Sequence, residues 1–242
     1  MRVAVMSDVH GFSLALAVVL RDISRRGPFD VVVAAGDLCE VGPDPAGCLT
    51  LLLDADVSLI QGNTDRDISA CAEDGCTDPG LRFVIDRIGK RTARELGDLP
   101  LTLRFSPTGN PAHDLLVCHA NPHDLDRKLQ PELDRREVLE RIDGVAAAAI
   151  AFGHHHVAYT RIVDGTLLVD VSAVGNPKDE DLRCKYGILT WDEDAGAWGA
   201  EITRLPYPLE ETITQIRDSG LPNPERTIRK LRHASYRPLG ES

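Results

Sequence analysis

The 242-residue chain has six cysteines, Cys39, Cys48, Cys71, Cys76, Cys118 and Cys184, and none of them forms a C-x-x-C pair. Without paired thiolates at that spacing, a cysteine-bound zinc site is not expected. No apolar run approaches the roughly 20 residues that a membrane-spanning helix needs. Met1-Arg2 leads straight into a first apolar stretch that is too short, and turns polar too soon, to be a secretory signal. A cytoplasmic protein with reduced, structural thiols is therefore expected; only the close spacing of Cys71 and Cys76 raises a disulfide. Positive charge is also in deficit. Lysine and arginine number 27 against 38 aspartates and glutamates, a formal net charge of −11. That balance disfavours a nucleic-acid backbone as partner, although bound cations can reverse the field locally and admit phosphate substrates. Internal repeats and low-complexity linkers are absent too.

The hydrophobic and charged fractions, 43% and 27%, are those of an ordinary chain able to bury a sizeable core. Apolar runs predict strands over 2–6, 30–35, 57–61, 101–105, 114–118 and 148–152. Helices are predicted over 13–26 with Ser13 as cap, over 45–54, and over 131–142 after Pro131. Segment 64–98 reads as polar and mostly helical, broken between Gly75 and Gly80, and 101–118 reads as a hairpin. From 157 onward the pattern alternates with period two over 157–163, 166–171, 185–191 and 197–204, with Asp164-Gly165 as a turn. Helices near 208–218 and 223–233 complete the chain. Strand–helix alternation followed by a meander predicts an α/β fold of two stacked sheets flanked by helices in one domain. The meander also offers an edge for a homodimer.

Five strands end in residues of ligating type. Asp8 and His10 follow Val3–Met6, Asp37 follows Val31–Gly36, and Asn63 follows Val57–Gly62. His119 follows Leu115–Cys118, and Gly153-His154-His155-His156 follows Ala148–Phe152. In α/β sheets, ligands gather at the carboxyl ends of the strands. Asp8, His10, Asp37, Asn63, His119, His154 and His156 are too many nitrogen and oxygen donors for one tetrahedral ion. They suit two divalent ions, with Asp37 able to bridge them. Strand alternation puts His154 and His156 on one side and His155 on the other. Singly, these motifs are ordinary turns and hydrogen-bonded edges; their joint placement argues for a site.

Asp8-Val9-His10, Gly36-Asp37, Gly62-Asn63-Thr64-Asp65, His119 and Gly153-His154-His155-His156 stand in the order D-x-H, G-D, G-N-x-D/E, H and G-H-x-H. In this the chain resembles the calcineurin-like metallophosphoesterase superfamily. Gly42-Pro43-Asp44-Pro45, Asn121-Pro122, Val174-Gly175-Asn176-Pro177-Lys178-Asp179 and Leu205-Pro206-Tyr207 are similar to its small bacterial and archaeal, phosphodiesterase-like branch. The resemblance spans roughly residues 1–219 and implies a four-layer α-β-β-α sandwich of two mixed β-sheets. Residues 220–242 are then a basic helical tail packed on that domain or extending from it.

The resemblance implies that Asp8, His10 and His156 hold one metal and Asn63, His119 and His154 a second, with Asp37 bridging both. Asp37, Asn63 and His119 would serve catalysis. Two divalent ions are implied, manganese first, with iron, zinc, cobalt or nickel as alternatives, and a hydroxide between them attacking phosphorus in line. The expected substrate is a phosphodiester. A phosphomonoester, as in a phosphoprotein or nucleotide phosphatase, is the alternative, and a non-catalytic scaffold of the same fold is a further one that the complete ligand set argues against.

Many members carry histidine where this chain has Thr64, and a hydroxyl is no general acid near neutrality. Thr64, Arg66 and His123 are the candidate substrate contacts. Asp65 and Arg66 have a competing, simpler reading as holders of the Asn63 turn, and His123 as a solvated loop residue. Arg226, Arg229, Lys230, Arg232 and Arg237 read as a solvated helix face balancing an acidic body.

Overall fold

A computed structural model describes residues 1–235; the end of the expected tail, Arg237 included, lies outside them. Ten strands and eight helices run through the described residues. The first half comprises β1 (Arg2–Met6), α1 (Ser13–Arg26), β2 (Val31–Ala34), α2 (Pro45–Asp54), β3 (Ser58–Leu59), α3 (Asn63–Asp74), α4 (Pro79–Ile88), α5 (Lys90–Glu95) and β4 (Thr102–Phe105). The second comprises β5 (Leu115–Cys118), α6 (Arg135–Arg141), β6 (Ala149–Phe152), β7 (Tyr159–Val163), β8 (Thr166–Asp170), β9 (Cys184–Asp192), β10 (Ala197–Leu205), α7 (Leu209–Asp218) and α8 (Pro224–His233).

The strands form two five-stranded mixed sheets, ordered β10-β9-β1-β2-β3 and β4-β5-β6-β8-β7. Alternation along single strands decides how they stack. In β1, Val3 and Val5 face the other sheet, where they join Val33, Ile60, Val117, Ala151, Val169 and the Trp191–Trp198 pair. Ala4 and Met6 face outward into a core with Leu16, Ile68, Val84, Ile213 and Leu231, drawn from the helices on that side. On the second sheet, Leu116, Ile150 and Phe152 point outward against Val138 and Ile142 of the α6 region. Helix, sheet, sheet, helix is thus the layer order. Ile228 and Leu231 fix α8 into the first outer core. Among the described residues no helix is long and apolar enough to cross a membrane.

Local details depart from the sequence expectations. Helix α6 starts at Arg135, not after Pro131, because Asp134 and Glu137 cap one another's backbone amides, each at 2.8 Å. Ser13 is the first residue of α1 and caps nothing; Phe12 holds the cap position without a side-chain bond. The strand expected over 57–61 shortens to Ser58–Leu59. Cys71 and Cys76 are joined in a disulfide closing the end of α3, whereas Cys39, Cys48, Cys118 and Cys184 are buried free thiols.

Candidate metal centre

The parallel strands β1, β2, β3, β5 and β6 release their chains on one side of the sandwich, and those five exits meet. Asp8, His10, Asp37, His154 and His156 all leave with positive φ, between 53° and 63°. A left-handed non-glycine residue costs about 1–2 kcal/mol, which the junction offsets with hydrogen bonds between exits. Asp8 N–H donates to the Gly36 carbonyl (3.0 Å), His10 N–H to Asp37 (2.8 Å) and Gly153 N–H to His119 (2.9 Å). His154 N–H donates to Asp8 Oδ2 at 2.8 Å, fastening the second sheet to the first. Packing leaves no room for a side chain at two glycines of the junction. A Cβ on Gly62 would lie 2.3 Å from Asp37 Oδ1, and one on Gly153 2.3 Å from Asp8 Oδ2.

Side chains gather in two clusters, Asp8–His10–His156 and Asp37–His119–His154, each with one ligand atom per residue within 4.8 Å of the others. Every imidazole is anchored by one nitrogen to a backbone carbonyl. His10 Nδ1 donates to Glu40 O (2.9 Å), His156 Nδ1 to Asn176 O (2.7 Å), His119 Nδ1 to Ala35 O (2.8 Å) and His154 Nε2 to Asp126 O (3.1 Å). A carbonyl only accepts, so the anchored nitrogens carry the protons and the opposite ones carry lone pairs. Those lone pairs face each other: His10 Nε2 lies 3.2 Å from His156 Nε2, and His119 Nε2 3.1 Å from His154 Nδ1. Asn63 Oδ1 points at His119 Nε2 from 3.0 Å. Asp8 Oδ1 is buried without a hydrogen-bond donor, 3.0 Å from His156 Nε2.

Converging acceptors repel unless a proton or cation lies among them. Two nitrogens each about 2.1 Å from one ion, near the tetrahedral angle, stand about 3.4 Å apart, close to both observed separations. The donors, all nitrogen and oxygen, fit a pair of divalent cations. Asp37 sits between the clusters with Oδ2 3.6 Å from His10 Nε2 and Oδ1 3.4 Å from His119 Nε2. Its Oδ1 also accepts Thr64 N–H at 2.9 Å.

The charges are mutually adjusted. Burial works to raise the Asp8 pKa, but His156, His119 and His10 outweigh it and hold the carboxyl far below the usual carboxylate range. Burial and the neighbouring His119 push the His154 imidazole down to about 4. Burial also opposes charge on His119, yet Asp37 and Asp8 raise its pKa above the ordinary value.

All seven donor residues read from the sequence come together here. His154 and His156 do so for a different reason from the one expected: β6 ends at Phe152, and left-handed turns, not strand alternation, send the two rings to different clusters. Asp65, fully buried, accepts the amides of Asp37, Leu38 and Gly62 and locks the Asn63 turn against the Asp37 loop. Arg66 grips both carboxylate oxygens of Asp126, whose carbonyl orients His154. The Thr64 hydroxyl is buried and without a hydrogen-bond partner. His123 is not drawn in; its ring donates to the Asp143 carbonyl. The anchoring carbonyls of Ala35, Glu40, Asp126 and Asn176 carried no sequence signal, because every residue has one.

The model of the calcineurin-like phosphoesterase superfamily domain matches residues 1–194. An uncharacterized protein of Methanocaldococcus jannaschii is 25% identical over 241 residues, covering 91% of this chain and 93% of its own. A metallophosphoesterase from Sphaerobacter thermophilus superposes with a TM-score of 0.74 at 22% identity, over 97% of this chain and 100% of that one. A hypothetical protein from Pyrococcus horikoshii gives 0.81 at 15% identity, over 97% and 98%. Fold, converging donors and family match agree: the chain belongs to the calcineurin-like phosphoesterase superfamily and is a metal-dependent phosphoric ester hydrolase.

Proposed function

We propose that the protein hydrolyses phosphodiesters at a dinuclear centre. Asp8, His10 and His156 would hold one ion, Asn63, His119 and His154 the other, with Asp37 between them. The observation that carries this reading is the facing of inward-turned imidazole nitrogens in two pairs, with one Asp37 oxygen turned toward each pair. Bound divalent ions, manganese being the first to test, polarise phosphoryl oxygens and make a water acidic enough to act as nucleophile near neutral pH.

The chain's own groups do the rest. The four carbonyl anchors turn the opposite nitrogens inward, and Arg66 with Asp126 holds His154 in aim. The unpartnered Thr64 hydroxyl is available to donate to a phosphoryl oxygen. No imidazole stands at position 64 to protonate a departing oxygen, and His123 is engaged elsewhere. Esters whose leaving oxygen needs no proton should therefore react best, and a diester presents a single charge to be neutralised.

The test is kcat/KM for bis(4-nitrophenyl) phosphate against a simple alkyl phosphomonoester, with saturating Mn²⁺. The diester should lead by about 10²-fold or more, the lower end of what a general acid contributes. Asp37→Asn should abolish turnover and lower metal content, since it disturbs both clusters. Faster hydrolysis of the alkyl monoester would overturn the diesterase reading in favour of a phosphomonoesterase.

A further inference from the structure

Many cations of this acidic chain are paired. Arg66 meets Asp126, Arg135 meets Asp164, Arg183 meets Asp181, Arg217 meets Glu225 and Arg232 meets Glu210. Even Lys185, wholly buried, donates to Asp179 and to the carbonyls of Asp181 and Arg183. Two half-buried lysines have no ion pair among the described residues, and one of them lies beside the first cluster. Lys178 is fastened to that cluster at its backbone, where its N–H donates to the His156 carbonyl at 3.0 Å. Its ammonium reaches only Asn176 Oδ1, 2.6 Å away, the side chain of the residue whose carbonyl anchors His156. No carboxylate pairs with Lys178 among the described residues.

The second lysine, Lys230, arrives on α8 and is likewise without an ion pair among the described residues. Ile228 and Leu231 bury one face of that helix, and its end is stitched to the Lys178 loop. Glu180 N–H donates to the Ala234 carbonyl at 2.7 Å, and Asp179 bridges to Ser235. Lys230, whose carbonyl accepts the Ala234 N–H, therefore stands one helical turn from the point where α8 joins the Lys178 loop.

We propose that Lys178 and Lys230 form a subsite for a second phosphate, so that the preferred substrates are phosphodiesters carrying a phosphomonoester group on the retained side. This rests on the diesterase reading above. Two divalent ions against Asp8 and Asp37 already leave enough positive charge for the single charge of a diester, so two more cations serve another anion. A terminal phosphate, with about −1.5 to −2 charge and three acceptor oxygens, suits a pair of ammonium groups. Lysine binds phosphate as a point charge, and a half-buried amine without a counter-ion gains most from a ligand that supplies one.

The experiment compares 4-nitrophenyl thymidine 5′-phosphate with and without a 3′-phosphate, as kcat/KM on the manganese-loaded protein. Calorimetry in parallel compares binding of thymidine 3′,5′-bisphosphate with thymidine 5′-monophosphate. The wild type should favour the 3′-phosphorylated member of each pair by about 10- to 100-fold, the worth of a charged hydrogen bond. Lys178→Gln and Lys230→Gln should each bring that ratio toward one, and the arginine variants should retain most of it. A ratio of one in the wild type overturns the proposal. So does equal loss of both substrates in the glutamine variants, which would place the lysines on the scissile phosphate. Preferential binding of the bisphosphate with neither ester hydrolysed would support the subsite and overturn the diesterase reading instead.

Discussion

Stripping the protein of metal should expose the cost of its facing imidazoles. Without a cation, His10–His156 and His119–His154 oppose lone pairs at 3.2 and 3.1 Å. In the second pair a proton can substitute, and the two pKa directions say where it sits. His119 is raised, despite burial, by Asp37 and Asp8, whereas His154 is lowered to about 4. The proton belongs on His119 Nε2, donated to His154 Nδ1. A pKa raised on folding gives stability that is complete below the unfolded value, about 6.5 for histidine, and is lost as pH rises through the folded value. The metal-free protein should therefore weaken on the alkaline side of about pH 6.5, where metal binds best. An ion at about 100 times its Kd adds about 2.7 kcal/mol, so two add about 5.4. At 2–4 °C per kcal/mol for a chain of this size, Tm should rise by about 11–22 °C. The assay is thermal unfolding across a Mn²⁺ titration at pH 6 and pH 8, with proton release measured calorimetrically in buffers of different ionisation enthalpy. The shift should be smaller at pH 6, where metal must expel about one proton from His119. A Tm that ignores Mn²⁺, Zn²⁺, Co²⁺, Ni²⁺ and Fe²⁺, or a shift that survives intact in Asp37→Asn, would refute the reasoning.

Two further outcomes test the supports. Arg66→Ala should release Asp126 and the carbonyl that aims His154, lowering metal affinity at the second cluster about 10- to 100-fold; unchanged affinity by metal titration would make Arg66 a substrate contact instead. Lys185→Met should destabilise by about 3–5 kcal/mol in denaturant unfolding, because it strands Asp179 and two part-buried carbonyls; a loss under 1 kcal/mol would show that the loop re-satisfies them.

Residue type and period are one-dimensional properties, and what depends on them was legible. Val3–Met6 reads as a strand buried on both faces, and the order of strands and helices implies stacked sheets, which the structure contains. Asp8, His10, Asp37, Asn63, His119, His154 and His156 were identifiable as donors because each follows an apolar strand. Short-range chemistry was less legible: the Asp134–Glu137 capping box overruled Pro131 as the start of α6, and the ends of α3 brought Cys71 to Cys76.

The sequence by itself thus determined which side chains are available to hold metal and on which edge of the sheets they emerge. The family resemblance already implied how they divide; tertiary structure alone decided by what path each side chain reaches its cluster and which atom it presents. His154 and His156 reach different clusters because left-handed turns, stabilised by bonds such as His154 N–H to Asp8 Oδ2, replace the strand expected to alternate them. Each imidazole turns its free nitrogen inward because a carbonyl from another loop takes the other one, and no residue type encodes which carbonyl will be near. Lys178 and Lys230 lie 52 positions apart in sequence, the first within the Val174–Asp179 motif and the second on a helix face read as solvated. Only the docking of α8 on the loop after Asn176 brings the helix that carries Lys230 to the segment that carries Lys178.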